Sequence, residues 1–313
     1  MAGTRKGTYR ITNWRKYNES LVQRGSVTYW FSDDVLSQWR HANEGAKVGH
    51  PFVYSDTAIE CLLSLREVFR LPYRQTEGLA RSLVHLMEID LEIPDYTSLA
   101  KRAASLHISL DVSRHTGPID VVVDSTGLKV FGEGEWKMRA HGKSKRRTWR
   151  KLHLTINPDT QEIEAEVLTE NSGHDADQVD AQLDQVDGRI RRFYGDGAYD
   201  PWKVRDSLAR RKIRQVIPPR RDAKITRHGN RNGRPLPRDV AIRTIRRLGR
   251  KRWKEQIGYH RRSLGETAMY RMKCCFGDRL KNRLLENQQT EARLRAKTLN
   301  HFTRLGLPEF EWS

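Results

Sequence analysis

Residues 118–130 read PIDVVVDSTGLKV. Ile119, Val121, Val122 and Val123 form a short β-branched apolar run, the composition of a strand buried on both faces. The run meets a carboxylate at Asp124 and then a polar turn, Ser125-Thr126-Gly127. The strand is therefore expected to end at Asp124 and to present its side chain at a sheet end, where open α/β sheets take their ligands. A turn-capping aspartate is the plain structural alternative.

Working outward, residues 151–157 and 162–170 read as two further strands, joined through the turn residues NPDT at 157–160. Residues 175–186 have helical periodicity, 190–195 read as a fourth strand, 201–212 as a helix opened by Pro201, and 213–218 as a fifth strand. A long helix is expected from about 258 to 286. The order β-β-β-α-β-α-β-α predicts an α/β domain of the ribonuclease-H-like class over residues 115–290. That class is a five-stranded mixed sheet with flanking helices; here a basic insertion at 220–254 interrupts it.

Before it, residues 1–110 are expected to form a mainly helical DNA-binding region. Thr57 with Glu60 resembles a capping box ahead of Ile59, Leu62, Leu63, Leu65 and Val68. Pro72 ends that helix, a second covers 76–87, and Pro94-Asp95 opens a third carrying Lys101 and Arg102. This arrangement resembles a helix-turn-helix within 57–108. Trp14, Trp30, Phe31 and Trp39 are expected packing anchors, and residues 291–313 a helical tail.

Two more acids join Asp124. Asp196 closes the fourth strand in Tyr194-Gly195-Asp196-Gly197-Ala198-Tyr199, where flanking glycines allow close approach; an Asp-Gly turn is the alternative. Glu266 lies in GYHRRSLGETAMYRMK, residues 258–273. There Tyr259, Arg262, Glu266 and Lys273 follow the spacing Y-x2-R-x3-E-x6-K. On a helix turning about 100° per residue they share a stripe about 60° wide, opposite Leu264, Ala268, Met272 and Cys275. Taken alone, Arg262 and Glu266 are an ordinary i,i+4 surface pair. In this topology the first and fourth strands are neighbours and the late helix crosses their ends, so the three carboxylates are expected to converge. Three hard oxygen ligands suit Mg²⁺ or Mn²⁺, and a pair of such ions serves phosphoryl transfer. Asp120 and Asp200 are the runner-up acids. His153 and His174 are read as structural or surface residues.

The 313-residue chain carries 58 Lys+Arg against 39 Asp+Glu, a net charge of +19, which points to a polyanionic partner. The charge is uneven. Residues 159–187 hold ten acids and no Lys or Arg, and are expected to face away from the polyanion; residues 220–254 hold fourteen Lys/Arg and two acids, and residues 137–151 eight cations and no acid. The basic stretches are the expected nucleic-acid surface, with Lys145, Arg146, Arg147, Arg246, Arg247, Arg250 and Lys251 as phosphate contacts. Trp149, Trp202 and Trp253 border them and are read as core or rim packing. No apolar run approaches the ~20 residues of a membrane helix and the first residues lack a signal-peptide core, so a cytoplasmic, nucleoid-associated protein is expected. Cys61, Cys274 and Cys275 have neither zinc-site nor disulfide spacing.

DSTGLKVFGEGEW (124–136), HGKSKRRTWRKLHL (141–154), DGAYD (196–200), VIPPR (216–220) and the Y-R-E-K set together resemble bacterial insertion-sequence transposases. The resemblance is to the insertion-sequence-five group of the DDE superfamily and covers about residues 50–305. It implies Asp124, Asp196 and Glu266 as catalytic, metal-holding residues, with Tyr259, Arg262 and Lys273 as the accompanying DNA-binding signature. It also implies Mg²⁺ or Mn²⁺ as cofactor, and double-stranded DNA (terminal inverted repeats and target) as partner. The implied activity is cleavage at the element's ends and joining of 3′-hydroxyls to target DNA, with synapsis requiring a homo-oligomer. A Mg²⁺ nuclease of the same fold and a non-catalytic DNA-binding regulator are the competing readings.

Overall fold

The computed structural model describes residues 9–43, 51–130, 149–227 and 235–312. Lys145, Arg146 and Arg147, and most of the basic run at 137–151, lie outside the described residues. The chain divides into two compact units, Met1–Ser109 with Lys297–Ser313, and Leu110–Ala296.

The first unit carries strand β1 (Tyr9–Ile11) and helices α1 (Trp14–Gln23), α2 (Asp33–Ser37), α3 (Asp56–Val68), α4 (Tyr73–Leu86) and α5 (Tyr96–Ala103). The N-cap of α3 is Ser55, whose Oγ accepts from the Ala58 N–H at 3.1 Å, rather than Thr57. Asp95 caps α5 in the same way, accepting from the N–H groups of Thr97 and Ser98. Ile59, Leu62, Leu63 and Leu65 are buried, as are Phe31 and Trp39. Trp14 is instead 57% exposed, so it does not anchor a core.

The second unit is mixed α/β and ribonuclease-H-like. Its elements are β2 (Ile119–Val130), β3 (Trp149–Ile156), β4 (Ile163–Glu170), α6 (Val179–Leu183), β5 (Ile190–Tyr194), α7 (Trp202–Arg210), β6 (Arg214–Val216), α8 (Pro237–Leu248), α9 (Arg250–Gln256), α10 (Ser263–Phe276) and β7 (Arg279–Leu280). The strands run β4-β3-β2-β5-β6; β2, β3 and β4 form an antiparallel meander, and β5 and β6 join in parallel. Helix α11 (Leu285–Leu305) then contains the division between the units, and β8 (Phe310–Trp312) pairs antiparallel with β1. The expected helical tail therefore ends in a strand.

The structure departs from the sequence reading at several points. The sheet gains a sixth strand, β7, which pairs in parallel with β2. The long helix expected over 258–286 stops at Phe276 because Gly277 takes φ 86°, and its first residues, Tyr259–Arg262, form a 3₁₀ turn. The helix expected over 175–186 shrinks to a 3₁₀ turn and the five residues of α6. Much of the basic stretch is helical, as α8 and α9. The acidic block is mixed: Glu164 and Glu166 on β4 and Glu162 just before it are buried, with Ser113 bonded to Glu162 and His115 to Glu164, whereas Asp159, Glu170, Asp180, Asp184 and Asp187 are exposed.

Asp124 does not end its strand. It lies midway along the 12-residue β2, whose one edge is paired with β3 from Val122 to Lys129. The other edge is shared. There β5 stops at the pair Val122–Tyr194, and β7 begins at Lys129–Arg279. Asp124 stands in the notch between them. The site is thus at the end of β5 rather than the end of β2.

Candidate active site

Alternation along β2 sends Ile119, Val121 and Val123 into one apolar cluster and Val122 into another, with Tyr194, Val216, Ile257 and Tyr259. Asp124 shares the face of Val122, which helix α10 covers. Gly265 makes that cover close. A Cβ there would stand 3.1 Å from both Asp124 Cβ and Val122 Cγ1, a tight contact that glycine avoids. One residue on, Glu266 projects from the first turn of α10 with its side chain 61% exposed.

Arg262 lies between the two acids. Its Nη2 is 3.2 Å from Asp124 Oδ2, and its Nη1 donates to Glu266 Oε1. Asp196 stands two residues beyond β5 and caps the 3₁₀ turn Gly197–Tyr199, accepting from the Ala198 N–H at 2.8 Å. Burial pushes the Asp124 carboxyl up; Arg262 and the Ser125 N–H pull it down, and the charges of Asp196 and Glu266 push it up again. Both other acids therefore bear on Asp124 directly. Lys273 Nζ donates to Thr126 Oγ1 at 2.6 Å, on β2 just beyond Asp124. Tyr259 is half-buried in the Val122 cluster, its phenol pushed up by burial, and Lys254 Nζ stands 4.8 Å from its ring centre.

Several neighbours escape the sequence reading. Asp175, inside the acidic block expected to face away, reaches Lys151 Nζ at 2.9 Å and stands 3.2 Å from His153 Nδ1. Although burial raises it, the neighbouring His153, Ser125 and Lys151 hold its carboxyl well below the usual range. Ser125 follows Asp124, so this buried network braces the strand beneath the site. Tyr199, 1% exposed, feels Asp175, Asp124 and Asp196 together, and burial holds its phenol well above the usual value. Lys129 pairs with Asp278 at 2.7 Å, tying β2 to the residue before β7. The glycine at 265 carries the one available signal: a small residue beside the helical acid.

The runner-up acids have other partners. Asp200 is buried against Arg205 at 2.7 Å and Arg238 at 3.0 Å. Asp120 is buried against Arg191 and Arg261. His153 is buried, with Nε2 3.0 Å from Thr169 Oγ1, and His174 is exposed. Among the expected phosphate contacts, Arg246 and Arg247 on α8 and Lys251 on α9 are exposed, whereas Arg250 Nη2 is committed to the Pro219 carbonyl at 3.0 Å. Trp253 is buried, and Trp202 is 40% exposed under Arg238.

A family profile described as "Transposase DDE domain" matches residues 115–301, well over half of the chain, and a second profile with the same description matches residues 22–133. The chain belongs to the DDE transposase family. Its members generally use divalent metal ions to cleave DNA. Similar solved structures include the piggyBac transposase synaptic complex with hairpin DNA, at 10% identity and TM-score 0.40, covering 91% of this chain and 76% of that one. The Mos1 strand transfer complex matches at 11% identity and TM-score 0.22, covering 75% and 81%. Among the described residues, no helix is long and apolar enough to cross a membrane.

Among the described residues of this DDE transposase, no three His, Cys, Asp or Glu side chains stand together at metal-ligand spacing, since Arg262 separates Asp124 from Glu266. The donor set still fits a hard divalent ion. It is all carboxylate oxygen, and Gly265 sets no side chain of its own against Asp124, whose Oδ2 instead meets Arg262.

Proposed function

We propose that this chain is the transposase of a bacterial insertion sequence of the insertion-sequence-five kind. It binds the terminal inverted repeats, hydrolyses phosphodiester bonds at the ends, and joins the freed 3′-hydroxyls to target DNA. The observation that supports this most is Arg262, whose guanidinium spans Asp124 on β2 and Glu266 on α10 beside the β2 notch, with the charge of Asp196 also acting on Asp124. Two elements far apart in the chain are thus joined through acids that one arginine bridges, in a chain whose family cleaves DNA.

Asp124, Asp196 and Glu266 would hold Mg²⁺ or Mn²⁺, two ions in the usual arrangement. When bound, such ions neutralise phosphate charge and activate a water or a 3′-hydroxyl. The rest falls to the chain itself. Arg262 offsets the repulsion between Asp124 and Glu266 and offers a guanidinium to a phosphate oxygen. Lys273, oriented by Thr126, supplies a second cation on the same helix, and Tyr259 packs the turn that carries Arg262. In hydrolysis the water oxygen bonds to phosphorus as the P–O3′ bond breaks, leaving a 3′-hydroxyl and a 5′-phosphate. In joining, that 3′-hydroxyl attacks a target phosphorus and a target 3′-hydroxyl leaves.

The exposed cations of α8 and α9 are assigned to duplex DNA, as is the helical region within residues 57–108. Synapsis of two ends calls for at least two copies of the chain. The test is a strand-transfer assay with Mg²⁺, a labelled duplex carrying the element's terminal repeat, and supercoiled plasmid, with Glu266→Gln as control. Joined product that depends on Glu266 supports the reading. Cleavage without joining supports a nuclease, and binding with neither activity a regulator.

A further inference from the structure

We propose that Asp120 is a positioning residue for the carboxylate site and acts through Arg261. This rests on the functional reading above. Asp120 is fully buried on β2, on the same face as Asp124. Its Oδ2 accepts from Arg261 Nη1 at 2.8 Å and its Oδ1 from Arg191 Nε at 2.8 Å. The two arginines are not equivalent. Arg191 belongs to β5, which the sheet already bonds to β2, so its contact ties together what is tied. Arg261 belongs to the 3₁₀ turn Tyr259–Arg262, which is in no sheet.

That turn is where Tyr259, Arg262 and the start of α10 take their places. Arg261 precedes Arg262, the residue that meets Asp124, and lies five positions before Glu266. Apolar packing of Tyr259 and Ile257 holds the turn down but has no direction. The charge-assisted bond from Arg261 to Asp120 does have direction, and a buried carboxylate does not release a partner cheaply. Arg261 also lies over the Tyr194 ring and reaches Asp159. One strand, β2, therefore carries both the first acid and the anchor for the turn that delivers the third. The spacing of Glu266 from Asp124 is set by the Asp120–Arg261 bond.

The experiment compares the full chain with Arg261→Met and Arg191→Gln, each of which removes one partner from the same carboxylate. Amide hydrogen exchange over residues 258–268 and single-turnover end cleavage are both read. We expect faster exchange there in Arg261→Met only, with the cleavage rate down tenfold or more and the DNA concentration for half-maximal rate unchanged. Arg191→Gln should stay within about twofold in cleavage, and Arg261→Lys should recover part of the loss. Unchanged exchange in Arg261→Met, or equal rate losses in both variants, overturns the proposal. So does a raised DNA requirement at an unchanged maximal rate, which would make Arg261 a DNA contact. If the unaltered chain shows no cleavage that depends on Asp124, the functional reading has failed, and exchange still decides whether the bond holds the turn.

Discussion

The Cβ that Gly265 lacks would stand 3.1 Å from Asp124 Cβ. A side chain at this position of helix α10 would therefore press on β2. In Gly265→Ala, about 1 kcal/mol of helix propensity is gained, while the neighbour must give by a few tenths of an ångström. We expect a melting temperature within a few degrees of the parent and end cleavage slower by tenfold or more, because small misplacements of reacting groups are costly. A variant that cleaves at the parent rate would show that this approach does not set the geometry.

Asp124→Asn should separate stability from activity. Burial raises the Asp124 carboxyl, so the folded state favours its protonated form. The charged form costs stability above the unfolded value, and that cost grows as pH rises through the folded value. Removing the charge should leave the melting temperature at pH 8 equal or higher, and abolish cleavage while end binding persists. Loss of binding along with cleavage would argue against separate binding and catalytic surfaces.

Glu166 gives a second pH prediction away from the site. It is buried, and burial pushes its carboxyl up to about 8, Arg293 opposing. Between the ordinary glutamate value and about 8 the folded state binds the extra proton, so stability contributed by this group falls as pH rises. Glu166→Gln should raise the melting temperature at pH 8 and change it little at pH 5, a difference on the order of a few kcal/mol. A difference that does not widen with pH would mean Arg293 keeps Glu166 charged.

The basic helices predict a split among neighbours in sequence. Neutralising the exposed Arg246, Arg247 and Lys251 should lower the salt slope of DNA binding by roughly 0.9 for each phosphate no longer neutralised. Arg250→Gln should act on stability instead, because its guanidinium bonds the Pro219 carbonyl. Slopes measured over a range of salt concentrations, beside thermal melts, decide this; an unchanged slope in the triple variant removes α8 and α9 from the DNA surface.

The five strands of the catalytic unit are legible because β-branched runs and polar turns alternate cleanly from Ile119 to Val216. What is not legible depends on partners that lie far away in the chain. The two-residue β7 has no pattern of its own and exists because Gly277 turns the chain back to β2. Asp124 reads as a strand end because Ser125-Thr126-Gly127 has turn composition, yet pairing with β3 holds those residues extended. Glu162, Glu164 and Glu166 read only as part of an acidic block, and the fold places Ser113, His115 and Arg293 beside them. Asp175 reads as one acid among ten, and only the fold brings it to Lys151 and His153. The Y-R-E-K spacing reads as one helix; a 3₁₀ turn carries its first half, and Arg262 on that turn still meets the carboxylates.

The pairing of Tyr9–Ile11 with Phe310–Trp312 has a consequence for synthesis. A ribosome adding 5–20 residues per second needs roughly 15–60 s to pass from the first strand to the second. Only over the last ~1–3 s of that interval, between Ala296 and Phe310, does the intervening unit, Leu110–Ala296, have all its residues synthesised while the early helices still wait for their last strand. A released chain ending before residue 310 would hold every residue of Leu110–Ala296 and an N-terminal unit lacking its closing ladder.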